Sequence, residues 1–115
     1  MNKLTMRRTE LPAGVVQLEL SGEIDFAVSN DLTAAQMREI DAPGVTRLIV
    51  DLREVTFLDS TGLRTITSAD ARARKDGHEL RIVRGSDQVQ KLLHVTGMDK
   101  ILPLVDDPSE PLSQP

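Results

Sequence analysis

Arg47-Leu48-Ile49-Val50-Asp51-Leu52, followed after a link by Asp59-Ser60-Thr61-Gly62-Leu63, decides the fold. The first run has a continuous apolar centre, the pattern of a strand covered on both faces, as in a parallel sheet. Arg53 to Leu58 reads as a loop. Asp59 then suits a helix N-cap, because its carboxylate accepts from one of the backbone N–H groups that a helix leaves unpaired at its start. Leu63, Ile66, Ala69 and Ala73 recur at helical spacing and mark the inner face, with Arg64, Thr65, Ser68 and Arg72 on the wet side. Lys75 favours the negative end of the helix dipole, and Gly77 is placed for a left-handed cap.

Outward from this unit the same rules extend the pattern in both directions. Val15 to Ser21 alternates apolar and polar residues with period two, the mark of a half-buried strand. Leu4 to Thr9 is a weaker strand, and the turn Leu11-Pro12-Ala13-Gly14 joins the two as an antiparallel hairpin. Gly22-Glu23-Ile24-Asp25 breaks the alternation. Val28 to Ile40 suits a helix with Leu32, Ala35 and Ile40 on one face, Ser29 or Asn30 as its cap, and Asp41-Ala42-Pro43-Gly44 as its stop. Downstream, Leu80 to Val83 is a short strand. Ser86 caps a third helix with Val89, Leu92 and Leu93 inward and Gly97 at its end. Ile101 to Val105 is a last strand, confined to an edge because Pro103 has no N–H to donate. From Asp106 onward, prolines among acids and serines read as a disordered tail.

A hairpin followed by alternating helices and strands predicts an α/β fold. The expected sheet is mixed but mostly parallel, with four to five strands, an N-terminal antiparallel hairpin and packed helices. The 115 residues make one domain, expected over 1–105, with the tail over 106–115.

Composition narrows the function. Phe26 and Phe57 are the only aromatic residues and the net charge is −4, so the stacking platforms and basic grooves that grip nucleic acid are missing. The absence of cysteine removes disulfides, thiol chemistry and Cys-based zinc sites. Lys3, Arg7 and Arg8 are not followed by an apolar stretch, so no secretory signal is expected, and no run approaches the ~20 apolar residues of a membrane span. The cytoplasm is the expected compartment, without metal, cofactor or membrane partner.

Asp59-Ser60-Thr61-Gly62 is the segment with chemistry. With Asp59 as N-cap, Ser60 falls in the first helical turn with its hydroxyl exposed, and Gly62 removes a side chain where a partner's backbone would approach. A phosphate added there brings about −1.5 to −2 charges to the positive mouth of the helix, which the fold tolerates. A docked partner does not: an unpaired phosphate beside Asp59, Glu23 and Asp25 adds desolvation and like-charge repulsion at the interface. The same four residues make a good helix start in any protein, so context carries the reading.

That context is Leu20-Ser21-Gly22-Glu23-Ile24-Asp25, then Val50-Asp51-Leu52 and Val55-Thr56-Phe57-Leu58-Asp59-Ser60-Thr61-Gly62-Leu63. Together they resemble the STAS family, and within it the anti-sigma factor antagonists of bacteria, over roughly residues 4–105. The resemblance implies that Ser60 is phosphorylated by an anti-sigma factor that is also a serine kinase. The kinase supplies ATP, binds the unphosphorylated form and releases its sigma factor; phosphorylation breaks the complex. Thr61 is a minor alternative acceptor. Glu23, Asp25, Asp59, Ser60, Thr61 and Gly62 are the implied partner-binding residues, with the Gly22–Asp25 turn as a second contact loop.

Three other readings compete. An enzyme would need a base for Ser60, but His78 and His94 fit no triad pattern; His94 suits its helix dipole and His78 the surface. A phospho-aspartate receiver would use Asp51, yet lacks the acidic pair that holds Mg²⁺ after the first strand; Asp51 is expected to anchor a loop instead. A constitutive docking subunit of the same fold, in a lipid-transport ATPase or a stress-sensing assembly, would bind without being phosphorylated.

Overall fold

The computed structural model describes residues 4–109. Its five-stranded sheet runs in sequence order: β1 (Leu4–Leu11), β2 (Val15–Ile24), β3 (Arg47–Leu58), β4 (Glu79–Val83) and β5 (Leu104–Val105). β1 pairs antiparallel with β2, and every later neighbour pairs in parallel. The helices α1 (Ser29–Asp41), α2 (Ser60–Lys75) and α3 (Asp87–Val95) cross between successive parallel strands. Strand order that advances one way with crossovers of one hand puts all three helices on one face. Leu48, Val50, Leu52, Leu80 and Ile82 of the sheet share the main core there with Leu32, Leu63, Ile66 and Leu93 of the helices. Ile49, Val83 and Val105 form a smaller cluster on the opposite face.

The mixed sheet and its hairpin match the sequence expectation, and so does β5 at an edge. β5 is shorter than expected, however. Ile101 is exposed, Met98–Lys100 form a 3-10 turn, and the Pro103 carbonyl accepts from the Ile82 N–H at 2.9 Å, so pairing starts only as the chain turns into Leu104. Gly77 and Gly97, both at φ 77°, stand just past the ends of α2 and α3 in the left-handed region. Ser86 caps α3 through Val89 N–H. The stretch read as a tail begins inside the described residues, where Asp106 pairs with Arg84 and Asp107 accepts from Ser109; positions 110–115, like 1–3, lie outside them.

Five local expectations are corrected. Gly22-Glu23-Ile24 continues β2 to its last residue, and Arg53 to Leu58 is not a loop: both belong to one long parallel pair. From Glu19 to Ser21 the partner runs from Asp51 to Glu54, and from Gly22 to Glu23 it runs from Val55 to Phe57. β3 therefore carries an extra residue at each step, a bulge that breaks the period of two. Neither Ser29 nor Asn30 caps α1. Asp25 instead caps the 3-10 turn Phe26–Val28 by accepting from Ala27 N–H at 3.0 Å, and the Ser29 hydroxyl donates to the Phe26 carbonyl. Thr65, expected on the wet face, is buried; its hydroxyl donates to the Thr61 carbonyl one turn back, and its own carbonyl accepts from Gln36 of α1. Asp51 anchors no loop. It lies within β3, buried, where it accepts from the Gln17 amide, the Arg53 backbone and the Arg53 guanidinium.

Candidate functional site

The parallel pairing of β2 with β3 carries the two motifs to one place. Glu23 lies opposite Phe57 and Ile24 opposite Leu58, so the chain leaving β2 at Asp25 and the chain leaving β3 at Asp59 emerge side by side. The Asp59 N–H donates to the Ile24 carbonyl at 3.3 Å, which extends the ladder to the helix cap itself. Asp59 has extended backbone (φ −102°, ψ −179°), its carboxylate accepts from Gly62 N–H at 2.7 Å and its carbonyl from Leu63 N–H at 2.9 Å. α2 thus begins at Ser60, as the sequence predicts. Ser60 is exposed, and Thr61 half-buried.

Gly62 has a different neighbour from the one expected. It is buried, and a Cβ built on it would stand 2.5 Å from the Ile24 carbonyl oxygen and 2.7 Å from Ile24 Cγ2. The close approach that needs glycine is made by the chain's own β2, and it seats α2 against the end of that strand. Glu23 and Asp25 are half-buried beside it.

Two features of this rim escaped the sequence reading. Phe26, one of the two aromatic residues, is 77% exposed on the 3-10 turn after Asp25. A shallow groove of about 290 Å³ runs past Leu58 between Gln88, Lys91, Leu92 and Val95 of α3. Its signal in sequence is Leu92 and Val95: Leu92, expected inward, packs against the core yet stays half-buried, and Val95 is 73% exposed.

Neither histidine belongs to the helix that carries Ser60. His78 lies beyond the far end of α2, about 25 Å away at 1.5 Å per helical residue, against a cleft it shares with Asp70 and Glu79. His94, in the last turn of α3, has its Nδ1 on the Asp99 carboxylate at 2.9 Å. Among the described residues no group of three or more His, Cys, Asp or Glu side chains could hold a metal. Burial pushes the Asp51 carboxyl up, but the Arg53 guanidinium and N–H with the Gln17 amide outweigh it and hold Asp51 below its ordinary range. It is an acid fixed by its own strand and already fully engaged.

An exposed hydroxyl at a helix mouth, an exposed aromatic on the 3-10 turn after β2 and an apolar groove past Leu58 mark a small α/β domain whose candidate site is open surface rather than an enclosed cavity. Comparison with known proteins gives this class of domain a family. The STAS domain model matches residues 7–110. An anti-sigma F factor antagonist of Paenibacillus polymyxa is 30% identical over 102 residues, covering 88% of this chain and 86% of its own. The anti-sigma-F factor antagonist RsfB of Mycobacterium tuberculosis is 34% identical over 90 residues, covering 76% and 70%. The crystal structure of an anti-sigma factor antagonist from Mycobacterium paratuberculosis superposes with a TM-score of 0.79 at 27% identity, over 91% of this chain and 87% of that one. The chain belongs to the STAS-domain family, of the anti-sigma factor antagonist type. Its described helices include none long and apolar enough to cross a membrane.

Proposed function

We propose that this protein docks onto an anti-sigma factor that is also a serine kinase, and that phosphorylation of Ser60 undoes the contact. The observation that carries the reading is the exposed Ser60 hydroxyl in the first turn of a helix that Asp59 caps and Gly62 seats. The docking face comprises Glu23, Asp25, Asp59, Ser60 and Thr61, with Phe26 as an aromatic anchor of the kind that dominates interface energetics, and the Leu58–Val95 groove continues it. Gly62 belongs to this face through the position it gives the helix rather than through direct contact.

The chemistry is the partner's. ATP sits on the kinase; the Ser60 Oγ forms a bond to the γ-phosphorus, the bond to the ADP oxygen breaks, and the hydroxyl proton passes to a base on the kinase. Thr61, half-buried, is the poorer acceptor. The protein is substrate and ligand, not catalyst, and works in the cytoplasm where the transcription machinery is.

The fold survives the modification because free N–H groups and the positive dipole end receive the new charge. The complex does not, because the phosphate lands beside Asp59 in a surface that must shed water to pair. A cost of about 4 kcal/mol would lower affinity by roughly a thousandfold. The test is a pull-down with candidate kinases with and without ATP, followed by mass spectrometry. Ser60→Ala should stay bound in both conditions, wild type should dissociate with ATP and carry phosphate on Ser60, and Ser60→Asp should bind weakly throughout. Both variants behaving like wild type would instead identify a docking subunit with no switch at Ser60.

A further inference from the structure

Arg64 follows Ser60 by one turn of α2 and is exposed. Residues at i and i+4 of a helix are surface neighbours, about 5–6 Å apart at Cβ. Helical side chains lean toward the N-terminus, so a long side chain at position 64 reaches back over the turn that carries Ser60. Most other arginines are engaged by carboxylates, among them Arg8 by Glu39, Arg53 by Asp51, Arg72 by Asp41 and Asp76, and Arg74 by Asp70, whereas Arg7 and Arg38 lie on other elements, β1 and α1. Arg64 has no carboxylate partner among the described residues. The one unpaired cation on α2 near its mouth stands one turn from the proposed acceptor.

We propose that Arg64 receives the phosphate on Ser60, closing an i, i+4 ion pair along the exposed flank of α2. The inference rests on Ser60 being the site of phosphorylation. The acid would lie N-terminal to the base, which is the favourable order, and the guanidinium fork matches two phosphate oxygens at once. Other charges nearby pull both ways. Asp59 at the cap, Glu23 at the end of β2 and Asp25 on the 3-10 turn favour the phosphate monoanion; the helix dipole, and more distantly Lys91 of α3 beside Leu58, favour the dianion. Arg64 tips this balance toward the fully charged form near neutral pH. Phosphorylation then alters the docking face twice: it adds an anion, and it occupies a cation that the unphosphorylated form leaves open to an acidic group of the partner.

The experiment installs phosphoserine at position 60 of the full chain by codon suppression, so that no kinase is needed. A failure of this inference is thereby separated from a failure of the kinase reading, which the mass spectrum above decides. The second phosphate ionisation is followed by ³¹P NMR at low salt in wild type, Arg64→Gln, Arg64→Lys and Arg38→Gln, the last removing an arginine at the far end of α1. An i, i+4 pair is worth a shift of about 0.3 pKa unit. Arg64→Gln should raise the midpoint by that amount, Arg64→Lys should retain most of the wild-type value, and Arg38→Gln should match wild type. The difference should close in about 1 M salt, where the Debye length falls to about 3 Å. Wild type and Arg64→Gln titrating together at low salt, or a shift as large in Arg38→Gln, would overturn the pairing.

Discussion

Gly62 is the residue on which the position of the α2 mouth, and of Ser60 with it, depends. In an ordinary helix interior, replacing Gly by Ala stabilises by about 1 kcal/mol. At this position the added methyl would meet the Ile24 carbonyl oxygen at 2.5 Å, an atom of the backbone that also accepts from the Asp59 N–H. Overpacking of this kind costs about 1–3 kcal/mol, so the clash wins and Gly62→Ala should lower the urea midpoint while also weakening docking. A raised midpoint would show that α2 is free to shift. The sequence made Gly62 conspicuous but not its reason. A glycine in Asp-Ser-Thr-Gly needs space for something, and only the parallel pairing of β2 with β3 reveals that the something is Ile24 rather than a partner. Asp59, by contrast, was legible outright, because an N-cap depends on the two or three residues that follow it. Phe26 was not, since exposure of a single aromatic is decided by how the chain leaves β2.

β3 shows why the elements were read less fully than the fold. A regular strand shows one face every second residue. After Asp51, the buried positions are Leu52, Val55 and Leu58, three apart, because each bulge inserts a residue between them. A spacing of three inside a stretch with Arg53, Glu54 and Thr56 has no strand period, so the sequence alone predicts a loop. The bulges have a consequence that a regular strand would not share. Alternation counted from Leu52 would bury Glu54 and Thr56, whereas the structure buries Val55 at 1% exposure and leaves Thr56 open. Thr56→Asp should therefore shift stability by no more than about 0.5 kcal/mol. Val55→Asp would bury an unpaired carboxylate and should cost more than about 3 kcal/mol, enough to abolish a cooperative melt by circular dichroism. Equal effects at the two positions would remove the bulges, and with them the alignment that brings Glu23 beside Phe57.

At the scale of the whole molecule, two buried aspartates, Asp51 on β3 and Asp70 on α2, set how stability responds to acid, and they oppose each other. Asp51 has its carboxyl held below the ordinary 3.8 by Arg53 and Gln17 against the pull of burial. The unfolded chain binds that proton first, so the stability Asp51 contributes is present above pH 3.8 and is lost as pH falls through the lowered folded value. Asp70 is the reverse. Burial raises its carboxyl above 3.8, and Arg74 opposes this only in part because it is 62% exposed and its attraction is screened by water. The folded state holds that proton longer, so Asp70's contribution is present below pH 3.8 and is lost as pH rises through the raised folded value. Chemical denaturation across the acid range should separate the two. Asp51→Asn should flatten the fall in stability below pH 3.8, because its depressed carboxyl is gone. Asp70→Asn should steepen the rise above pH 3.8, because the opposing group is gone, and should leave the protein at least as stable at neutral pH. An Asp70→Asn protein with a shallower rise would mean that Arg74 outweighs burial. Asp70 lies near the far end of α2, about 15 Å along the helix axis from Ser60 at 1.5 Å per residue, so its removal should change acid stability without changing kinase binding at neutral pH. A loss of binding in Asp70→Asn would mean instead that the two ends of α2 move together.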